Sequence, residues 1–380
     1  MIIYWSMLLC PLVVYFIYSV SYSKENNELY GDILTLNNKS TMISNKVPLF
    51  FCILVFGYFI FWIGMRTYVA DTTLYIVIFN NRSLDFSTAW AEIDWEGKGP
   101  GFEIFSVIFK SFISADSQWW LMTIAIVCGL AIMKILREYS VNFFYSSFLF
   151  IAMLTFSWMM NGMRQFICVS LLFLCCNYIR DGKFVKYFIV ILLLSTIHTT
   201  VWLMLPIYFV VRCKPWSSKI ALFIGVILLI CLFAEPFFAG MDDVLQGTNY
   251  SGITQQMQED DGVNPLRVAF YAIIPILSFW RKDELEKNKD KFKILNICIN
   301  MSLVTAALYL VGMVSSGILI GRLPIYCEVY NLLLIPFILK YGFDKQDRNI
   351  VTTGYTLILI AYFFLTFDWY YCSNITGYVF

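Results

Sequence analysis

The stretch "VPLFFCILVFGYFIFWIGMRTYVADTTLY", residues 47–75, decides the fold class. Residues 47–65 carry no charge and are almost entirely apolar. A helix of about 20 such residues crosses the hydrocarbon core of a bilayer. Arg66 and Asp71 follow closely, so the chain leaves the membrane with a cation and a carboxylate at its edge. What these two groups do depends on the side of the membrane that they face.

Apolar runs of this kind recur along the whole chain. Of its 380 residues, 59% are hydrophobic and 14% are charged, whereas a soluble domain is about 25% charged. We therefore predict an all-α polytopic integral membrane protein, a single transmembrane domain over residues 1–380 with about 12 transmembrane helices. The predicted spans are 2–21, 47–65, 117–136, 142–160, 163–179, 184–198, 199–212, 219–238, 266–280, 294–312, 323–340 and 350–367.

Lysine and arginine predict the orientation of these spans. When the loops are numbered alternately, twenty of the 27 cations fall in one set and seven in the other. Cytoplasmic loops carry the excess of cations, so the large loops 66–116 and 239–265 are predicted to lie outside and 281–293 inside. The seven cations of the outer set are Arg66, Arg82, Lys98, Lys110, Arg164, Arg267 and Arg322.

Polar residues of four short segments meet at the predicted outer face. A planar guanidinium presents forked donors that suit phosphate oxygens. Three arginines at one membrane edge therefore indicate a site for a phosphorylated group at headgroup depth, such as a lipid-linked pyrophosphate. The candidate residues are Arg66, Asp71, Thr72, Tyr75, Arg164, Gln165, His198, Arg322, Tyr326 and Glu328.

Each of these residue types also has a structural explanation. An arginine at a helix end can extend to lipid headgroups, a lone histidine is often a packing residue, and tyrosines can belong to the interfacial aromatic belt. Asp71 can cap a helix that begins at Thr72. Glu328 is harder to explain in this way, because a carboxylate within a span is costly unless it is paired or hydrated. We expect an arginine partner for it.

The loop 66–116 carries a second signal. Trp90 and Trp95 stand among acidic residues, and residues 101–114 follow an amphipathic pattern. We predict a helix that lies in the membrane interface and does not cross the bilayer. Aromatic faces beside carboxylates also suit sugar rings, although for this loop alone interfacial anchoring is the simpler explanation.

Several other kinds of site have no signature in the sequence. The eleven cysteines follow neither a metal-ligand spacing nor a disulfide framework, so we predict no metal. No Walker A motif and no G-x-G-x-x-G between a strand and a helix is present, and we predict no cofactor and no nucleic-acid partner. A sugar donor used on the outer face must then be activated by something other than a cytosolic nucleotide.

Five segments, in order, resemble the EpsG-like branch of the Wzy-type bacterial repeat-unit polymerases, which make O-antigen, capsule or exopolysaccharide. They are "GMRTYVADTTLY", "KGPGFEIFSVIFK", "MRQFICVSLLFL", "YFIVILLLSTIHTTVWLMLPIY" and "GRLPIYCEVYNLLL". The resemblance covers roughly residues 64–210 and 321–334. The sequence departs from the family pattern at Val69, where we expect glycine two residues before Asp71.

The resemblance implies a glycosyltransferase of the bacterial inner (cytoplasmic) membrane whose active site faces the periplasm. A growing glycan on undecaprenyl pyrophosphate would be transferred to a lipid-linked repeat unit, in lipopolysaccharide or related polysaccharide biosynthesis. Its partners would be these lipid-linked glycans, membrane lipid and, by family analogy, a chain-length regulator. The implied pyrophosphate ligands are Arg66, Arg164 and Arg322, the implied base is His198, Asp71 or Glu328, and the implied substrate-binding residues are Thr72, Tyr75, Gln165 and Tyr326.

Two other functions remain open from the sequence. A lipid-linked oligosaccharide flippase or other transporter would be expected to place cations in a cavity at the membrane midplane, whereas the informative cations here lie at one face. An O-antigen ligase-type glycosyltransferase would use the same donor with a different acceptor.

Overall fold

The computed structural model describes residues 2–33, 46–97, 99–233, 261–368 and 377–378. These residues are nearly all helical, with one short antiparallel pair of strands. The prediction of an all-α membrane protein is confirmed at this level.

Helices and strands follow one another in the first half of the chain with short connections. They are α1 (Ile2–Ile33), α2 (Leu49–Gly64), β1 (Arg66–Tyr68), α3 (Thr72–Asn81), α4 (Phe86–Ala91), α5 (Pro100–Phe112), α6 (Ser117–Tyr139), α7 (Phe143–Ala152), a 3-10 helix (Thr155–Met159), α8 (Met163–Leu174) and α9 (Cys176–Arg180).

The second half contains further helices and the second strand. They are α10 (Phe184–Ser195), a 3-10 helix (Thr199–Leu203), α11 (Met204–Val211), α12 (Ser218–Leu232), α13 (Pro265–Trp280), α14 (Lys282–Lys287), a 3-10 helix (Lys289–Lys291), α15 (Leu295–Met313), α16 (Ile325–Glu328), α17 (Asn331–Tyr341), α18 (Lys345–Phe363), a π-helix (Phe364–Asp368) and β2 (Gly377–Tyr378).

Helix length does not confirm the prediction of about 12 spans. Each predicted span contains helix. Apart from four long helices, however, the apolar helices have only 10–17 residues, which is roughly 15–25 Å at 1.5 Å per residue. The hydrocarbon core is about 30 Å thick. Within the described ranges, the helices long and apolar enough to cross a membrane are Ile2–Ser21, Ser117–Tyr139, Leu295–Met313 and Lys345–Thr366.

Breaks in the backbone explain why several predicted spans are divided. The predicted span 142–160 becomes α7 and a 3-10 helix because Leu154 between them has a left-handed conformation, with φ of 63°. This conformation is costly for a residue with a Cβ atom. The predicted span 323–340 divides into α16 and α17 at Val329 and Tyr330, whose backbones stay in the right-handed helical region. Glu328 and Asn331 interrupt the apolar pattern beside this break, whereas the residue type of Leu154 does not mark the other one.

The chain forms two compact units. The first comprises Met1–Trp95, Glu103–Ser170 and Thr353–Phe380. Within it α2 packs against α6, α1 packs against α7, and the rings of Phe56 and Phe150 lie 5.7 Å apart. In the same unit β1 pairs with β2, which the sequence did not predict.

The second unit comprises Glu96–Phe102 and Leu171–Thr352. Its centre is α15, against which α11, α13 and α17 pack. The rings of Tyr271 on α13 and Tyr309 on α15 lie 4.8 Å apart. Most of α15 is buried, which is expected of a helix surrounded by other helices.

The predicted loop 66–116 contains α3, α4 and α5. Val107 on α5 is fully buried against Ala89 and Ile93 of the α4 segment, while Phe112 and Ile113 at its end are exposed. A helix is therefore present where the amphipathic pattern predicts one, with part of its apolar face covered by protein. Its position in the membrane interface stays a prediction. Most of the predicted loop 239–265, namely 239–260, lies outside the described residues.

Close packing of α2 on α6 makes one glycine sensitive to substitution. A Cβ atom added to Gly129 on α6 would overlap the side chain of Ile60, whereas one added to Gly57 on α2 would meet nothing within 4 Å. We expect Gly129→Ala to destabilise the protein by about 1–3 kcal/mol through overpacking and Gly57→Ala to be neutral or stabilising. Thermal unfolding of the purified protein in detergent measures both. Equal melting temperatures for the two variants would contradict this helix packing.

Candidate active site

The ten candidate residues are divided between the two units. The first unit contains Arg66, Asp71, Thr72, Tyr75, Arg164 and Gln165. The second unit contains His198, Arg322, Tyr326 and Glu328.

Arg66 follows α2 and is fully buried. Its Nη1 donates to the carbonyl of Ile63 at 2.6 Å, its Nε donates to Oγ1 of Thr72 at 3.0 Å, and its Nη2 contacts the sulfur of Met163. Thr72 in turn donates to the carbonyl of Met160 at 3.0 Å. A buried charge is tolerated only when its donors are satisfied, and here each guanidinium nitrogen has a protein partner.

This environment favours a positioning role for Arg66. Its partners Thr72 and Met163 are the immediate sequence neighbours of Asp71 and Arg164. The buried guanidinium holds the first residues of α3 and α8, and it thereby fixes the positions of Asp71 and Arg164 beside them. Direct binding of pyrophosphate by Arg66 stays a prediction, which its complete burial does not favour.

Asp71 is half-buried at the N-terminus of α3. Its carboxylate does not cap the helix, so the capping explanation considered for it is wrong. No other described residue forms a hydrogen bond or ion pair with this carboxylate.

The preceding residue, Ala70, has φ of 44°, which places a Cβ-bearing residue in the left-handed region. Strained residues of this kind are concentrated at functional sites. Val69, where the sequence departs from the family pattern, is therefore the residue next to the strained Ala70.

Arg164 lies in the first turn of α8 and is half-buried. Its Nε donates to the hydroxyl of Tyr75 at 3.1 Å, and its guanidinium lies 5.8 Å from the centre of the Tyr75 ring. Gly162, with φ of 81°, makes the turn into the helix. Gln165 is almost fully buried. Two predicted residues, Arg164 and Tyr75, are therefore in direct contact, and the arginine is only partly shielded from solvent.

A hydrogen-bonded chain in the second unit joins two further candidates. Nδ1 of His198 lies 2.7 Å from Oγ1 of Thr200, which lies 3.1 Å from the hydroxyl of Tyr326. His198 is half-buried just before the 3-10 helix, and Tyr326 is buried on α16. Thr200 was not among the predicted residues, although its place two residues after the only histidine is a signal that could have identified it.

Glu328 is buried and accepts a hydrogen bond from the hydroxyl of Tyr309 at 2.7 Å. The arginine partner that we expected for Glu328 from the sequence stays a prediction. Tyr309 lies on α15 in a uniformly apolar stretch, and no sequence pattern identifies it. Arg322 is half-buried in the turns that precede α16.

Lys110 and Arg82, two further members of the predicted outer set, also have structural partners. Lys110 donates to the carbonyls of Phe79, Asn80 and Arg82 at 2.8, 2.7 and 2.6 Å, which satisfies the C-terminal end of α3. Burial lowers the pKa of the Lys110 ammonium, and the charge of Arg82 lowers it further. Arg82 forms an ion pair with Glu103 at 3.4 Å. These contacts explain both cations without a ligand.

Metal ligands form no cluster in the described ranges, where no group of three His, Cys, Asp or Glu side chains could hold an ion. The groups that the two units offer are a half-exposed guanidinium with a tyrosine, a carboxylate without a partner among the described residues, and a histidine joined to two hydroxyls. Such groups can bind an anion and transfer a proton.

The apolar helices define an integral membrane protein, and each of its two units carries polar candidate groups. The sequence model of the EpsG family matches residues 49–377. The chain therefore belongs to the EpsG family, and membership indicates a polymerase-like role in polysaccharide biosynthesis. No curated protein and no solved structure matches the chain.

Burial separates the effects expected at two of the arginines. Arg66→Lys leaves partners of a buried guanidinium unsatisfied, and we expect a loss of about 1–3 kcal/mol of stability for each group left unpaired. Arg164→Lys removes one hydrogen bond at a partly exposed site and should change the stability by less than about 1.5 kcal/mol. Thermal unfolding of the two variants compares them. An Arg66→Lys protein as stable as wild type that fails in glycan synthesis would instead identify Arg66 as a substrate ligand.

Proposed function

We propose that this protein is an oligosaccharide repeat-unit polymerase. It transfers a growing glycan from undecaprenyl pyrophosphate to a lipid-linked repeat unit on the periplasmic face of the inner membrane. The observation that carries the proposal is the match to the EpsG family over residues 49–377. In the transfer, a hydroxyl of the acceptor attacks the anomeric carbon of the donor, the bond to pyrophosphate breaks, and the hydroxyl proton passes to a base.

Arg164 is the candidate that we assign to the leaving pyrophosphate. Its contact with Tyr75 uses Nε and orients the guanidinium plane, and its partial exposure lets a substrate approach. A prepositioned cation stabilises the charge that develops on the leaving oxygen. Arg322 is the corresponding candidate of the second unit.

His198 is the candidate that we assign to the proton. If Nδ1 donates to Thr200, whose hydroxyl then donates to Tyr326, the neutral ring holds its lone pair on Nε2, which can accept the proton of the acceptor hydroxyl. The hydrogen bond to Thr200 holds the orientation of the ring, and the assignment requires the tautomer that carries its proton on Nδ1. Asp71 is the alternative base, because its carboxylate is half-buried and has no described protein partner.

Deletion of the gene tests the function. We expect the bacterium to retain a single repeat unit on its acceptor and to lose the ladder of longer glycans on a gel. Loss of all repeat units from the acceptor would identify a ligase. Accumulation of lipid-linked repeat unit on the inner leaflet would identify a flippase, and either result would overturn the proposal.

Single substitutions test the assigned residues. We expect Arg164→Ala to slow transfer about ten- to a hundredfold, since a hydrogen bond to a charged group contributes about 1.5–3 kcal/mol. Tyr75→Phe should cause a smaller loss, because it removes a bond that orients Arg164 and leaves the guanidinium in place. Glycan ladder length at matched membrane expression is the measurement. Tyr68→Phe is the control, since Tyr68 is nearby in sequence and 55% exposed.

The His198 assignment has its own readout. His198→Gln should slow transfer, because glutamine cannot accept the proton of the acceptor hydroxyl, whereas replacement of a packing histidine should leave the glycan ladder unchanged. Wild-type ladders from the Arg164→Ala and His198→Gln variants would exclude both residues from the transfer site.

A further inference from the structure

A cavity of about 460 Å³ lies in the second unit, where the ends of α9 and α11 meet the start of α15. Small-molecule sites have volumes of about 300–1,000 Å³. Its charged lining residues are Arg180, Arg212, Lys289, Lys293 and Asp290. Four cations therefore face one carboxylate, and none of these residues belongs to the candidate active site.

Ion pairs compensate two of the four cations. Arg180 pairs with Asp181 at 2.6 Å, and Lys289 pairs with Glu286 at 2.5 Å. The hydrogen bonds from Arg180 and then from Lys183 hold the pKa of the Asp181 carboxyl well below its ordinary value, so it stays ionised. Lys293 has no hydrogen bond or ion pair with any described residue, and the carboxylate of Asp290 is the one acidic group that lines the same cavity.

Arg212 likewise forms no ion pair with a described residue, and the fold holds it in place. Its Nη1 donates to the carbonyl of Ile179 at 2.7 Å, and its guanidinium packs on the ring of Tyr208. On the other side lies Gly182, where φ is 73° and an added Cβ would stand 2.8 Å from Nη1. Nε and Nη2 of Arg212 have no partner among the described residues. A guanidinium anchored at one nitrogen thus keeps donors for a ligand.

The helix ends around the cavity also favour an anion. The carbonyls that end α9 and α11 are occupied, because Arg212 binds Ile179 and the amide of Asn300 binds Val211 at 3.1 Å. The first turn of α15, which includes Asn296, forms part of the wall. The amides of Leu295 and Cys298 donate to the carbonyls of Phe292 and Ile294, so this helix end contributes the partial positive charge of the helix dipole.

A neighbouring cavity of about 260 Å³ continues this surface and shares Asn296 as a lining residue. Its charged lining residues are Lys214, Lys282, Asp283 and Glu286, and Trp216 also lines it. Cations and carboxylates therefore balance in this second cavity, and the excess of cations lies in the first. The indole Nε1 of Trp216 is buried without a hydrogen-bond acceptor in the described part of the chain. A buried donor without an acceptor is costly, and this indole N–H is one of several such buried polar atoms in the described residues.

We propose that these adjoining cavities bind the phosphate group of an anionic phospholipid at the cytoplasmic membrane surface. All the cations that line them belong to the set of twenty that the sequence places on the cytoplasmic side. Phe209, three residues before Arg212 on α11, is 58% exposed and provides an apolar surface for an acyl chain. Cytoplasmic basic pockets between membrane helices are suited to anionic headgroups. The proposal does not depend on the transfer reaction.

Native mass spectrometry of the full-length protein tests this site. The protein is purified in detergent and equilibrated with equal amounts of dioleoyl phosphatidylglycerol and dioleoyl phosphatidylcholine, which differ only in the headgroup. We expect wild type to retain phosphatidylglycerol preferentially. Lys293→Gln should reduce this retention roughly fivefold, since each cation near an anionic surface contributes about 1 kcal/mol. Arg212→Gln should reduce it further.

Lys291→Gln is the matched control. Lys291 lies in the same segment, is exposed and does not line either cavity, so its variant should retain the lipid as wild type does. Because Arg212 also holds the carbonyl of Ile179, the conclusion rests on Lys293→Gln. Equal lipid retention by the Lys293 and Lys291 variants would overturn the lipid site.

A second arm separates a lipid from a free anion. Inorganic phosphate is added at constant ionic strength, and the melting temperature is measured for wild type and for Lys293→Gln. Stabilisation of wild type alone, without any preference for phosphatidylglycerol, would show a phosphate site and overturn its assignment to lipid. No response to either probe would overturn the site altogether.

Discussion

The buried guanidinium of Arg66 is the interaction on which the first unit depends. An ionised group removed from water is expensive, and in a protein it persists only where hydrogen bonds replace those of the solvent. Arg66 satisfies this condition with the end of α2 and with the starts of α3 and α8. The three helix ends are therefore set by one side chain. Asp71 and Arg164 are each the sequence neighbour of a residue that Arg66 contacts.

Interrupted helices provide the second constraint. Backbone without regular hydrogen bonds is tolerated at membrane depth only where protein or water satisfies it. The left-handed residue Leu154, the 3-10 helix after His198 and the turns that contain Arg322 are such interruptions. The last two contain or adjoin candidate polar groups, His198 and Arg322. At these breaks, the same local structure both interrupts a helix and positions a polar side chain.

The sequence predicted the helices well where apolar runs are long and regular, as in Ser117–Tyr139. It could not predict that Leu154 adopts a left-handed conformation, because tertiary packing and not residue type imposes that conformation. Arg66 and Arg164 were equivalent in the sequence, each a cation at a helix end. Burial distinguishes them, and burial depends on residues far apart along the chain. His198 was identified because it is the only histidine, whereas Tyr309 is one of many tyrosines and became visible only through its bond to Glu328.

The pairing of β1 with β2 has a consequence for the order of synthesis. Arg66 is opposite Tyr378 in this pair, and the two strands lie far apart along the chain. A ribosome adds about 5–20 residues per second, so β2 leaves the ribosome on the order of tens of seconds after β1. During that interval the edge of β1 beside Arg66 has no strand partner, and an unpaired edge can associate with other chains. The earliest polar segment of the candidate site is therefore among the last parts of its unit to be completed, after most of the membrane helices have been made.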